Sequence, residues 1–205
     1  RLYNTLSKGG EVMMALDKYP FSDRYAFIKD KFGVSWQLIL SPNGKGIAPC
    51  LLFVGKSLGD AKPTITFYQK TFKKSKINSI RMYPKNDSGK ELVMHSSFSL
   101  FGVEFVAMDG AGPHQFGFNP AISIVVSCKD QKEIDYYWES LSKGGKKVEC
   151  GWLADKFGVS WQIVPAAMDK MMSDKDPKRT ERVMKAMLKM KKLDIATLTK
   201  AYNQK

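Results

Sequence analysis

Eight consecutive residues, Asp30-Lys31-Phe32-Gly33-Val34-Ser35-Trp36-Gln37, return without a change at Asp155-Lys156-Phe157-Gly158-Val159-Ser160-Trp161-Gln162. A chain that repeats itself in this way is built from like units, so a fold assigned to one copy must also serve the other. Each copy reads as a turn followed by a strand. Asp and Gly punctuate, and Val, Trp and an aliphatic pair, Leu38-Ile39 or Ile163-Val164, give the β-branched and aromatic pattern of a half-buried strand. A second repeat precedes the first: Leu6-Ser7-Lys8-Gly9-Gly10 returns as Leu141-Ser142-Lys143-Gly144-Gly145, a helix end stopped by glycine. Nineteen residues separate the two blocks in the first copy and nine in the second. The first hairpin is therefore expected to be ten residues longer, a loop-scale change.

The remainder of the chain falls into elements around these blocks. Strands are expected at 12–16, 24–28 and 34–40, then a polar boundary rich in Gly and Pro at 41–46. A strand at 47–54 leads to a helix capped by Asp60, with Pro63 in its first turn and Ile65, Tyr68 and Phe72 on one face. Strands at 77–83, 91–100 and 103–108 follow, with a turn at 84–89, which makes the order βαβββ. A second unit has strands at 121–126, 148–153 and 159–164, and a helix opened by the capping box Asp130-x-x-Glu133 with Ile134, Trp138 and Leu141 on one face. Beyond Pro165, Asp176-Pro177 and Asp194 start helices whose apolar stripes include Val183, Met187, Met190, Leu198 and Tyr202.

Charge and cysteine usage narrow the classes of function. Of the net charge of +13, +7 lies in residues 170–205, where eleven basic residues stand against four acidic ones. Only five of the 33 basic residues are Arg. Arg is the side chain of bidentate phosphate and guanine readout, so this lysine-dominated charge argues against a nucleic-acid partner. Cys50, Cys128 and Cys150 are odd in number and set in apolar strands, which is the pattern of free thiols in a reducing compartment, and a cytoplasmic protein is expected. No apolar run approaches the ~20 residues of a membrane span.

The runs Ala48-Pro49-Cys50-Leu51-Leu52-Phe53, Phe67-Tyr68-x-x-x-Phe72 and Phe105-x-Ala107-Met108-Asp109-Gly110 resemble one family, and so does Cys150-Gly151-Trp152-Leu153-x-Asp155 continuing to Pro165. That family is the PhnB-like branch of the glyoxalase/bleomycin-resistance superfamily, also called vicinal oxygen chelate proteins. Its members are often labelled 3-demethylubiquinone-9 3-methyltransferase domains. The resemblance implies an α+β fold of paired βαβββ modules whose curved sheets form a saddle, with a C-terminal helical extension. It assigns 1–42 to the trailing part of a first domain, 43–46 to a linker, 47–165 to a complete two-module domain and 166–205 to the extension. The expectation is a tandem protein of which most of the first domain is missing. Pairing of modules between chains, as in relatives, makes a homodimer an expectation too.

Metal-using relatives place His, Gln or Glu at positions that fall here on Pro49, His95, Ser123 and Gln162. Proline offers no side-chain ligand and Ser a poor one, which leaves His95 and Gln162 as the candidate metal residues, short of three protein ligands. No Gly-rich loop between a strand and a helix is read here as a cradle for S-adenosylmethionine. His95 is the candidate catalytic residue, as a general base or a hydrogen-bond donor to a ligand. Period-2 alternation sets Gln162 on the opposite face from Trp161, puts Ser97 and Ser99 with His95, and puts Leu51 and Phe53 with Pro49. The expected small-molecule pocket is thus Leu51, Phe53, His95, Ser97, Ser123, Trp152 and Gln162, mostly apolar with few polar anchors. Asp30 and Asp155 read as turn residues. The leading expectation is binding of a small organic ligand without a demonstrated reaction. Two alternatives stand beside it: a metal-dependent lyase or dioxygenase of the vicinal oxygen chelate type, and an interaction module acting through the basic, Met-rich C-terminal helices.

Overall fold

In a computed structural model, residues 1–40, 46–84, 89, 91–110 and 112–204 are described. The expected linker at 43–46 and turn at 84–89 lie largely outside them. The chain divides into two compact units, Arg1–Ile47 and Ala48–Lys205.

In the first unit, a short helix α1 (Leu2–Leu6) precedes three antiparallel strands, β1 (Glu11–Tyr19), β2 (Ser22–Lys29) and β3 (Ser35–Ile39), in spatial order β1-β2-β3. Tyr19, Phe21 and Tyr25 cluster at the hairpin end, and Ala26 and Ile28 are buried. The turn before β3 is held by Asp30, whose carboxylate accepts from the Phe32 and Val34 amides and from Trp36 Nε1.

The second unit contains two modules of identical topology. In the first, β4 (Cys50–Phe53), α2 (Ala61–Thr71), β5 (Ser75–Met82), β6 (Val93–Leu100) and β7 (Val103–Asp109) form a sheet of order β4-β7-β6-β5. In the second, β8 (Ile124–Cys128), α3 (Gln131–Ser142), β9 (Lys146–Lys147), β10 (Trp152–Ala154) and β11 (Ser160–Pro165) form a sheet of order β8-β11-β10-β9. In each, the first and last strands run parallel and the others antiparallel. Three helices follow: α4 (Ala167–Met172), α5 (Pro177–Met187) and α6 (Ile195–Asn203).

Alternation decides which side of each sheet is covered. Ser96, Phe98 and Leu100 on β6 and Phe105, Ala107 and Asp109 on β7 are buried. On the second sheet the same side carries Leu153, Trp161, Ile163, Val126 and Cys128. These residues join Ile65, Tyr68 and Phe72 of α2 and Ile134, Trp138 and Leu141 of α3 in one apolar cluster. At about 25 cal/mol per Å² of apolar surface removed from water, this cluster is the main force holding the two modules together. The aromatic contact is direct: Trp161 lies 5.4 Å from Phe72 and 5.1 Å from Tyr68, centroid to centroid.

Four local expectations are corrected. Asp60 is not the side-chain cap of α2; the buried Asp109 carboxylate reaches the Gly59 and Ala61 amides instead, and also takes the Val93 amide at 2.8 Å. The strand expected at 148–153 is broken, because Cys150 and Gly151 adopt positive φ and their amides donate to the Met190 and Lys191 carbonyls of the C-terminal region. The strand expected at 121–126 begins three residues later and ends two residues later, at Ile124–Cys128. Leu51 and Phe53 are corrected as pocket residues in the next subsection.

The C-terminal helices pack on their own unit. Met168, Met171, Val183, Leu193 and Leu198 form a second buried cluster, and Val164 of β11 packs against it. Asp176 and Asp194 cap α5 and α6 as read from the sequence.

Candidate functional site

The uncovered face of each sheet is the place to look for chemistry. On β6 it carries His95, Ser97 and Ser99, the residues out of phase with Ser96, Phe98 and Leu100. Register carries the face across the sheet: Arg81 lies opposite His95, Val106 opposite Ser97, Glu104 opposite Ser99, and Cys50 opposite Val106. Leu51 pairs with the buried Ala107 and Phe53 with the buried Asp109, so both point to the helix side. They sit in the apolar core, with Phe53 against Phe118 at 4.9 Å. Leu51 and Phe53 are therefore core residues, and Cys50 and Leu52 are the β4 residues on the open face. The sequence phase for β4 was referred to Pro49, which precedes the strand and does not set its pleat.

Around His95 the face is polar. Partial desolvation, with the Arg81 guanidinium next in importance, holds the His95 pKa below the ordinary imidazole value, so the ring is neutral at physiological pH. It makes no hydrogen bond to a described residue, and among those residues no carboxylate orients it as a general base requires. Ser97 is engaged: its hydroxyl donates to Glu104, and Asn78 Nδ2 donates to Ser97 Oγ at 3.3 Å and to Glu104 Oε1 at 3.2 Å. Asn78, Arg81 and Glu104 were not singled out in the sequence. The signal for Glu104 was the two-residue turn Phe101-Gly102, both at positive φ, which fixes Ser99 against Glu104.

On the second sheet, Gln162 is held between Trp152 and Val125, which are its register partners on either side. Its amide nitrogen donates to Ser123 Oγ at 2.8 Å. Trp152, Gln162 and Ser123 are half-buried and Val125 is 56% exposed. Trp161, one residue away, is shut in the core with its indole N–H on Asp155, so the alternation expected around the repeat holds. Ser123, Trp152 and Gln162 thus come together on one face, while His95 and Ser97 belong to the face of the other sheet. Two surface depressions, one along α5 and one beside the N-terminal half of α2, include none of these five residues.

The residues present do not fit a resident divalent metal. Among the described residues no three His, Cys, Asp or Glu side chains are grouped to hold one. His95 has a guanidinium for its cross-strand neighbour, which opposes a second cation, and the Gln162 amide is oriented by Ser123. The thiols offer little more. Burial, reinforced by Glu133 and Asp130, pushes Cys128 up to about 12, so it stays protonated. At the start of α2 the amides that could cradle a phosphate already serve Asp109. Among the described residues no helix is long and apolar enough to cross a membrane.

A family model described as 3-demethylubiquinone-9 3-methyltransferase matches residues 45–164. No curated protein matches the chain. Among solved structures, a putative 3-demethylubiquinone-9 3-methyltransferase, PhnB protein, from Bacillus cereus is similar at 37% identity and a TM-score of 0.54. The match covers 60% of this chain and 100% of that one. A Pseudomonas aeruginosa protein is similar at 18% identity and a TM-score of 0.51, over 60% of this chain and 98% of its own. A glyoxalase I mutant from Zea mays is similar at 16% identity and a TM-score of 0.51, over 78% of this chain and 61% of its own. At those identities the last two speak for the fold alone.

Proposed function

The chain belongs to the 3-demethylubiquinone-9 3-methyltransferase family, the PhnB-like group of glyoxalase-fold proteins, and from that premise we propose that its second unit binds a small organic ligand on the open sheet face around Gln162. The observation that carries this reading is the row Trp152, Gln162, Val125 across three adjacent strands, with the amide oriented by Ser123. An aromatic surface, an aliphatic one and a single fixed amide between them suit a ligand that is largely apolar with one polar group. Since Gln162 donates to Ser123, its carbonyl oxygen is left to accept from the ligand. His95, neutral and with no hydrogen bond to a described residue, is the second polar group that such a ligand could use on the first sheet.

Binding without metal chemistry is favoured over the lyase or dioxygenase reading, because the donor set of His95 and Gln162 is too small, is split between two sheets, and sets His95 opposite Arg81. The tail-mediated reading is disfavoured by the inward packing of Met168 and Met171. The test is a panel of small organic acids, amides and aromatic amines screened by native mass spectrometry and thermal shift against wild type, Gln162→Ala and Trp152→Ala. The proposal expects at least one ligand whose affinity falls about tenfold or more in both variants, equivalent to ~1.4 kcal/mol. Ligands that bind all three proteins alike, or none, would sink it.

A further inference from the structure

The helix side of the second unit carries a basic depression that the ligand face does not explain. It lies beside the N-terminal half of α2, where Lys56, Lys62, Lys70 and Lys156 stand with two acids, Asp60 and Glu91, and, among the described residues, no Arg. Lys56 and Lys70 are exposed and make no ion pair with a described residue. Lys62 holds Glu91 at 2.7 Å, an exposed pair that leaves further ammonium protons for another acceptor. Lys156 is set in place by aromatic rings: its Nζ lies 4.9 Å from the centroids of both Phe67 and Phe157. The amides at the start of α2 serve Asp109, so the ammonium groups and not the helix end supply the attraction for an anion.

These charges are drawn out along a line, which selects an extended partner over a point-like ion. Lys62, Thr66 and Lys70 follow one another at single turns on one stripe of α2, so Lys62 and Lys70 are about 12 Å apart along its axis. Pro63 and Phe67, also one turn apart, run beside that stripe and with Leu58 give the depression an apolar lining. Alternate side chains of an extended peptide recur on one side at about 6.6 Å, so residues i and i+4 span about 13 Å with i+2 between them. Two carboxylates at that spacing meet Lys62 and Lys70 while an apolar side chain between them meets Phe67.

We propose that this depression docks an extended acidic peptide segment of the pattern acidic-x-apolar-x-acidic. Its carboxylates sit on Lys62 and Lys70 and its apolar residue on Pro63 and Phe67, with Lys56 and Lys156 adding attraction at the rim. Four lysines, interrupted by Asp60 and Glu91 and joined by no Arg among the described residues, are too sparse for the continuous phosphates of a nucleic acid. The proposal does not rest on the ligand reading around Gln162, which concerns the open side of the sheets.

The test titrates the blocked peptide acetyl-Glu-Ser-Phe-Ser-Glu-amide into the full 205-residue chain, read by isothermal calorimetry and by amide NMR shifts. Binding is expected at low salt, with shifts on α2 and at Lys156, and should weaken as salt rises. Lys62→Gln with Lys70→Gln should weaken it about tenfold or more. Lys170→Gln with Lys178→Gln, the same loss of charge on α4 and α5, should leave it within about twofold. All four lysines are exposed, so both double variants should melt like wild type. Gln in place of both Glu, or Ser in place of Phe, should each weaken the peptide about tenfold or more. The proposal is overturned by no binding at low salt, by equal weakening in the two double variants, by an oligothymidylate of like charge that competes on equal terms, or by shifts centred on Gln162 in place of α2.

Discussion

The Tyr68 hydroxyl on α2 donates a 2.6 Å hydrogen bond to Asp155 Oδ2, the oxygen that also accepts from Trp161 Nε1 at 2.9 Å. A helix of the first module is thereby tied to the repeat turn of the second, 87 residues away in sequence. The other carboxylate oxygen takes the Phe157 and Val159 amides, which closes the turn. All four donors converge on a side chain only 3% exposed.

Removing one of these donors is expected to weaken the joint between modules. Tyr68→Phe keeps the ring packed against Phe72 and Trp161 but strips a charge-assisted bond, which should cost about 1.5–3 kcal/mol. Urea unfolding monitored by tryptophan fluorescence checks this. A loss under about 0.5 kcal/mol would mean the bond contributes nothing net.

The two turn aspartates should titrate in opposite directions. Burial raises the Asp155 pKa above the ordinary carboxylate value against the pull of its donors, whereas the Trp36 indole bond lowers that of the half-buried Asp30. For Asp155 the folded state holds the proton more tightly, so its contribution is full below the unfolded pKa and is lost as pH rises through the raised folded value. For Asp30 the contribution is present above the unfolded pKa and is lost as pH falls through the depressed folded value. Carboxyl NMR titration should therefore show Asp155 above and Asp30 below 3.8. Asp155→Asn should flatten the pH dependence of the second unit in the window above that value. Coincident titrations would contradict both assignments.

The shared Gly-Gly stop is expected to resist substitution for a steric reason. A Cβ on Gly10 would lie 2.1 Å from the Lys29 carbonyl oxygen and one on Gly145 2.2 Å from that of Ala154. Both obstacles are backbone, so Gly10→Ala and Gly145→Ala should each destabilise their own unit by about 1–3 kcal/mol. Gly117→Ala, with nothing within 4 Å, is the control and should stay within about 0.5 kcal/mol. Equal melting of all three proteins would show that the close approach relaxes freely.

The C-terminal helices are expected to be a part of the second unit's stability, not a detachable tail. Leu193 is buried, its carbonyl accepts from Gln131 Nε2 on α3, and its side chain meets Gly151. Leu193→Ala should cost about 2–5 kcal/mol. Deleting residues 170–205 should lower the melting temperature further, since the Cys150 and Gly151 amides lose the Met190 and Lys191 carbonyls. A truncated chain that melts normally would return the tail to the role of a free interaction arm.

Local signals carried the repeat turns, the apolar faces of α2 and α3, the caps at Asp130, Asp176 and Asp194, and the order βαβββ of the first module, because each depends on residues within a few positions of one another; the two-residue strand β9 of the second module was not read. The split between Trp161 inside and Gln162 outside was legible for the same reason: strand pleat has a period of two wherever the strand is known. Only tertiary structure decided that Leu51 and Phe53 belong to the core, that Asp109 and not Asp60 serves the start of α2, and that Gln162 meets Ser123. Those outcomes depend on strand register and on partners far along the chain. Identical letters end up with unlike surroundings for this reason: a turn and strand are set by their own residues, whereas the full burial of Asp155 and the half-burial of Asp30 are set by what packs over them.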